Sequence, residues 1–204
     1  FVVNSVRELP GNHAYQTTSA SRPTVEARVN LFTKSEQFDD PDWGGGGSGT
    51  FTVTANQATA PDGTVTADKF IGATIARQHR QNRAVINTTM TFSVWMRTNA
   101  GTRSMRLFIN DSSGSATTVT VTTSWQRFSF TATVGAALLG SGRCGFDNQQ
   151  VLDETNHVYV WGADLRLASD ASYPYQRVNT ATDYVDIGAP RYLSFDGTDD
   201  GMAT

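Results

Sequence analysis

Four side chains within one short stretch are suited to holding a ligand: Trp95, Arg97, Arg106 and Phe108. Indole and phenyl faces stack on flat or apolar rings, including those of sugars. An arginine fork pairs two-pronged with carboxylate, sulfate or phosphate. Together they describe a seat for an acidic polysaccharide. Their placement follows from alternation over residues 91–110. Phe92, Val94 and Met96 alternate with Ser93, Trp95 and Arg97, and Met105, Leu107 and Ile109 with Arg106, Phe108 and Asn110, the period of strands with one buried face. Asn99-Ala100-Gly101-Thr102 between them reads as a turn that sends the chain back. With both apolar sets on the core, Trp95, Arg97, Arg106 and Phe108 are expected to share the opposite face. The competing reading is that a loop or a neighbouring subunit covers Trp95 and Phe108, with the arginines pairing across that contact.

Other candidate chemistry is thinner. Arg77, Arg80, Arg83, Arg97, Arg103 and Arg106 fall in a stretch that contains no Asp or Glu, although the chain as a whole carries a net charge of −3. Asp39, Asp40 and Asp42 are adjacent acids, as are Asp199 and Asp200. Glycoside hydrolysis needs two carboxylates about 5–10 Å apart across a cleft, which adjacent loop acids do not specify, so no catalytic residue is assigned. Gly44 to Gly49 is a glycine run without the Lys-Ser or Lys-Thr of a phosphate-binding loop, and reads as a flexible loop. Cys144 excludes an intrachain disulfide and reads as a buried, inert thiol. His13 has no partner at metal spacing and reads as a surface residue. Trp125 and Trp161 are further ligand candidates, but each sits among apolar strand residues, and core or sheet-edge packing is the favoured reading. Asn87-Thr88-Thr89 and Asn110-Asp111-Ser112 match the glycosylation acceptor pattern.

The elements that position these residues are strands. At 204 residues, 38% hydrophobic and 10% aromatic, the chain can build a core. Its slight acidity argues against a nucleic-acid-binding surface, and no apolar run approaches the ~20 residues of a membrane span, so neither nucleic acid nor membrane insertion is expected. Residues 1–28 are polar and irregular and read as a linker or arm from a preceding domain. From Val29 strands follow: one at Asn30-Leu31-Phe32, then around Phe51, Ala67, Phe92, Met105, Thr117, Phe128, Cys144 and Val158, with a polar run from Arg77 that turns apolar at Ala84-Val85-Ile86. No helical period persists over ten residues, and β-branched and aromatic residues dominate. The expectation is an all-β chain, an antiparallel β-sandwich of jelly-roll topology over residues 29–168. Residues 169–204 read as a linker and the start of a following β domain. Arg28-Val29-Asn30 and Arg177-Val178-Asn179 echo each other, a single tripeptide and thin support for a repeat. The sequence reads as a segment of a longer polypeptide, so its location follows from function.

Several stretches carry a family likeness. Asn30-Leu31-Phe32-Thr33-Lys34-Ser35-Glu36-Gln37-Phe38, Val53-Thr54-Ala55-Asn56, Ala60-Pro61-Asp62-Gly63-Thr64 and Thr66-Ala67-Asp68-Lys69 resemble the opening of a jelly-roll module, similar to carbohydrate-binding modules, in bacteriophage head-spike and tail-fibre proteins. Val158-Tyr159-Val160-Trp161-Gly162-Ala163 and Leu165 resemble its closing strand. Leu193-Ser194-Phe195-Asp196-Gly197-Thr198-Asp199-Asp200 resembles the first strand of a concanavalin-like, or laminin-G-like, domain, and residues 11–24 the tail of another. The resemblance implies a non-enzymatic module on the surface of a virion, a bacterial surface polysaccharide as ligand, and other virion proteins or copies of itself, as a trimer, as partners. It implies no cofactor, beyond a structural calcium ion for which Asp164 is the matching position. A spacer or decoration domain without ligand is one alternative. The non-catalytic glycan-binding part of a polysaccharide-degrading enzyme is another.

Overall fold

The computed structural model describes residues 29–83, 88–109, 115–134, 142–180 and 183, together with the backbone of Thr24–Glu26 and Tyr192–Ser194. His13, Asn87, Asn110, Asp199 and Asp200 lie outside the described residues. The chain divides into two compact units, residues 28–189 and the two flanking segments 1–27 and 190–204. In the second unit the short strands β1 (Thr24–Glu26) and β12 (Tyr192–Ser194) pair antiparallel, Val25 opposite Leu193.

The described residues of the larger unit form ten strands: β2 (Gly44–Gly47), β3 (Thr52–Ala58), β4 (Ala67–Ile71), β5 (Arg77–Asn82), β6 (Thr88–Thr98), β7 (Arg103–Ile109), β8 (Ala116–Val121), β9 (Gln126–Val134), β10 (Arg143–Asn148) and β11 (Val158–Leu167). They form two antiparallel five-stranded sheets, ordered β2-β5-β10-β7-β8 and β3-β4-β11-β6-β9. The pairings β7 with β8, β6 with β9, β5 with β10 and β4 with β11 nest inside one another. Contacts of β11 with β6 and of β10 with β7 then roll that long hairpin into a jelly roll. Among the described residues there is no α-helix, only the 3-10 turn Ala168–Asp170.

The alternation sets the layers. Met90, Phe92, Val94 and Met96 of β6 and Met105, Leu107 and Ile109 of β7 are all fully buried in one core. Phe32, Phe38, Trp43, Phe51, Phe70 and Phe146 fill one end of it. His79 lies among those rings, parallel to Trp43 at 5.2 Å, with Nε2 at 2.9 Å from the Phe38 carbonyl. Burial pushes this imidazole down to about 3. Asp68, also fully buried, accepts the backbone N–H groups of Phe38 and Asn56 at 2.9 Å each. Burial outweighs those bonds and raises its carboxyl to about 6. Cys144 is buried, as expected.

Three expectations are corrected. The glycine run forms strand β2, paired with β5. Its bareness has a use, because the Arg80 guanidinium lies across it: a Cβ on Gly46 would sit 2.6 Å from that group, and Arg80 donates to the Gly45 carbonyl. Asn30-Leu31-Phe32 is not a strand. The buried Asn30 side chain ties two segments together, accepting from Phe32 and Leu165 N–H and donating to the carbonyls of Ala163 and Gln176. Residues 173–179, read as linker, therefore belong to the sandwich, and Gln176 and Val178 are buried there.

Candidate functional site

Residues 99–102 do not return the chain within one sheet. They carry it from β6 in one sheet to β7 in the other. Since both strands bury their apolar sets in the same core from opposite sides, their outward sets point apart. Trp95 and Arg97 stand on the outside of β3-β4-β11-β6-β9, and Arg106 and Phe108 on the outside of β2-β5-β10-β7-β8. The expected single face of four residues is thus two faces. Arg106 is paired with the buried Asp147 at 2.6 Å, and Phe108 has no exposed surface. The arginine-rich stretch divides in the same way, with Arg97 on one sheet and Arg77, Arg80, Arg103 and Arg106 on the other.

Around Trp95 the register assembles residues from three distant parts of the chain. Trp95 lies opposite Trp161 of β11 and Arg127 of β9, and Arg97 opposite Tyr159, which in turn faces Lys69 of β4. The Arg97 guanidinium sits 4.4 Å from the Tyr159 ring and 5.4 Å from the Trp125 ring. Such contacts contribute about 0.5–2 kcal/mol each. Arg97 makes no hydrogen bond or ion pair among the described residues. Those ring contacts use none of its N–H donors, which are left for a ligand.

The middle of this sheet is roofed. Thr59 follows one edge strand, β3, and Trp125 precedes the other, β9, roughly 19 Å away at four strand spacings. Yet the Trp125 indole N–H donates to the Thr59 carbonyl at 3.0 Å. That bond requires the loop after β3 to cross the outer face. Trp161 is pinned to the same loop, its indole N–H donating to Thr66 Oγ1 at 3.0 Å. Beneath lies a second apolar cluster of Ala58, Ala60, Ala67 and Trp161, with Trp95, Trp125, Tyr159 and Tyr175 against it. A loop thus covers much of the indole floor, while Trp95 stays half-buried.

At one end the roof opens into a recess of about 320 Å³ lined by Glu36, Asp62, Trp161, Tyr175 and Arg177. The Tyr175 hydroxyl donates to Glu36 Oε1 at 3.0 Å, and Asn179 Nδ2 to Glu36 Oε2 at 3.3 Å. Burial raises the Glu36 carboxyl despite those donors, and raises the Tyr175 phenol well above its ordinary value.

Asp164, the position expected to match a calcium ligand, is neither solvated nor open to a metal. It is fully buried and paired with Arg166. The same guanidinium donates to the carbonyls of Asp170, Tyr173 and Pro174 at 3.1, 2.9 and 3.1 Å. One internal cation is thereby ringed by oxygens. Among the described residues no three metal-ligating side chains converge.

No protein-family model matches this chain, and no curated protein does. Solved structures similar to it include the tandem CBM22-1-CBM22-2 domain of Paenibacillus barcinonensis Xyn10C, at 14% identity and a TM-score of 0.49 over 81% of this chain and 49% of that one. The CBM22-1 xylan-binding domain of that protein matches at 14% identity and 0.47, over 73% and 97%. The enzymatically active domain of bacteriophage CBA120 tailspike protein 4 matches at 15% and 0.43, over 68% of this chain and 21% of that one. The chain spans about a fifth of the tailspike chain and half of the tandem domain. No residue role passes from them to this chain.

Tyr159 is the contributor that sequence reasoning missed, and Trp125, a candidate there, reads by sequence as packing. Tyr159 carried a signal, since Val158 and Val160 on either side of it face inward. The place of Trp125 beside Arg97 was not legible, because only the β6–β9 register brings the two together.

Proposed function

We propose that this chain is a non-catalytic carbohydrate-binding sandwich whose ligand seat is the outer face around Trp95 and Arg97, and that it serves a phage or phage-like virion appendage, a head spike or tail fibre, in recognising bacterial surface glycans. One observation carries the binding reading: Arg97 lies against the Tyr159 and Trp125 rings and makes no hydrogen bond or ion pair among the described residues. A structural arginine on a sheet surface pairs with a neighbouring carboxylate, as Arg106 does with Asp147. A guanidinium held against two half-buried rings without an ion pair among the described residues is suited to an acidic sugar. The virion setting rests on the resemblance of residues 30–69 and 158–165 to fibre modules. The ligand-free spacer reading draws on one feature, the two indole N–H bonds that hold the loop over Trp161.

The test is binding of the purified chain to extracted capsule and lipopolysaccharide across a salt series. A hydrogen-bonded charge pair contributes about 1.5–3 kcal/mol, so Arg97→Ala should weaken binding at least about tenfold and flatten its salt dependence. Trp95→Ala should weaken binding without altering the salt slope. Parent-like binding by both variants refutes this seat.

A further inference from the structure

We infer that the recess beside Tyr175 is a second, chemically different subsite, which takes a neutral, hydroxyl-rich sugar ring while Arg97 takes the acidic group of the same glycan. This rests on the carbohydrate-binding reading above. Trp161 and Tyr175, with ring centroids 4.9 Å apart, give the recess an apolar wall. Polar groups of both senses stand around that wall. A carboxylate offers about four acceptor sites, and Glu36 uses one each for Tyr175 and Asn179, leaving two for hydroxyl donors. Asp62 adds an exposed carboxylate and Arg177 an exposed guanidinium, which makes no hydrogen bond or ion pair among the described residues. A sugar's neighbouring hydroxyls both donate and accept, so such a set matches them.

Charge separates the two subsites. In the recess two carboxylates outweigh one guanidinium, so an anionic group is disfavoured there. At Arg97 the charge is uncompensated. Trp95 joins the subsites: it lies two residues from Arg97 along β6, about 6.8 Å at ~3.4 Å per residue, and directly opposite Trp161 across the ladder. The separation of Arg97 from the recess therefore exceeds one sugar ring. It selects a heteropolysaccharide in which acidic and neutral residues are near neighbours.

Arg177→Ala, combined with Asp62→Asn, tests this. The asparagine amide keeps the side-chain oxygen that accepts from Thr64 in the parent, so the loop is retained. The probes are extracted acidic capsule polysaccharide, and glucose, galactose, N-acetylglucosamine and glucuronate followed by saturation-transfer NMR. The expected result is capsule binding about tenfold weaker with an unchanged salt slope, and loss of the neutral-sugar signals with glucuronate retained. Arg97→Ala should give the reverse pattern. If the recess variant keeps parent-like capsule affinity and neutral-sugar signals while Arg97→Ala still fails, the recess is no subsite and the glycan reading survives. A recess variant that also flattens the salt slope overturns the division of labour. A parent chain that binds none of the probes overturns both readings.

Discussion

Acid is the perturbation whose effect can be worked through most fully, because two buried groups respond to it with opposite sign. His79 donates from Nε2 to the Phe38 carbonyl, and its buried ring packs among Trp43, Phe51, Phe70 and Phe146. Protonating the ring would place a cation inside an aromatic core, so the folded ring stays neutral down to about 3, against 6.5 in the unfolded chain. Through that window the unfolded chain holds the extra proton. Stability contributed by the neutral ring is full above 6.5 and lost as pH falls, at about 1.4 kcal/mol per pH unit and about 5 kcal/mol in all. Asp68 works the other way. Its folded carboxyl titrates near 6 against 3.8 unfolded, so the folded state holds the extra proton in between, and stability rises by about 3 kcal/mol as pH falls from 6 to 3.8. In the parent the two slopes offset each other from pH 6 to about 4, and stability declines only below that. Urea unfolding at a series of pH values reads these slopes directly. His79→Gln keeps a donor for Phe38 but has no base, so its stability should climb as pH falls from 6 to 4. Asp68→Asn should decline over the same range. Parallel slopes for parent and both variants would refute the assignment of these two groups, whatever offset each substitution causes.

Two further substitutions read the framework, beside the binding variants already given. Asp164→Asn leaves the Arg166 guanidinium buried without its counter-charge and should cost about 3–5 kcal/mol in chemical denaturation; a loss below about 1 kcal/mol would mean that the ring of carbonyls suffices alone. Gly145→Ala places a Cβ 2.1 Å from the His79 carbonyl oxygen, a backbone atom of the neighbouring strand, and should cost at least about 1–3 kcal/mol, read as a lower melting temperature.

The sandwich was legible because its strongest signal is local. Alternation along Phe92, Val94 and Met96, and again along Met105, Leu107 and Ile109, fixes which side of each strand is buried whatever sheet the strand joins. The sheet itself is not a local property. A turn over residues 99–102 fits a hairpin as well as a crossing between layers, and the difference sends Arg106 and Phe108 to the far side of the molecule. The glycines at 44–47 misled for a related reason. Glycine is depleted in strands because it packs nothing, and it is tolerated here because Arg80, a residue of the next strand in the sheet, needs the space. Asn30 and Gln176 likewise look like ordinary polar residues until the fold brings their amides together across 146 positions of chain.

The nested hairpin has a consequence for how such a face is built and how it changes. Apart from the hairpin β7–β8, successive strands from β4 to β11 fall alternately into the two sheets, so the seat around Arg97 is built from strands that are not consecutive in the chain. It has to draw on β6, on the start of β9 and on β11, which here means Arg97, Trp125 and Tyr159. Arg97 has a defined position only because the other two rings hold it, and Trp125 is itself held by the Thr59 carbonyl from the opposite edge. Effects on binding should therefore be non-additive among these three residues, as expected of groups that share partners: once Arg97 is Ala, truncating Trp125 removes little more. The loop over the face is part of the same unit, since the bond that roofs Trp161 also anchors the ring beside Arg97. A change in that loop should alter ligand preference without any contact to the ligand.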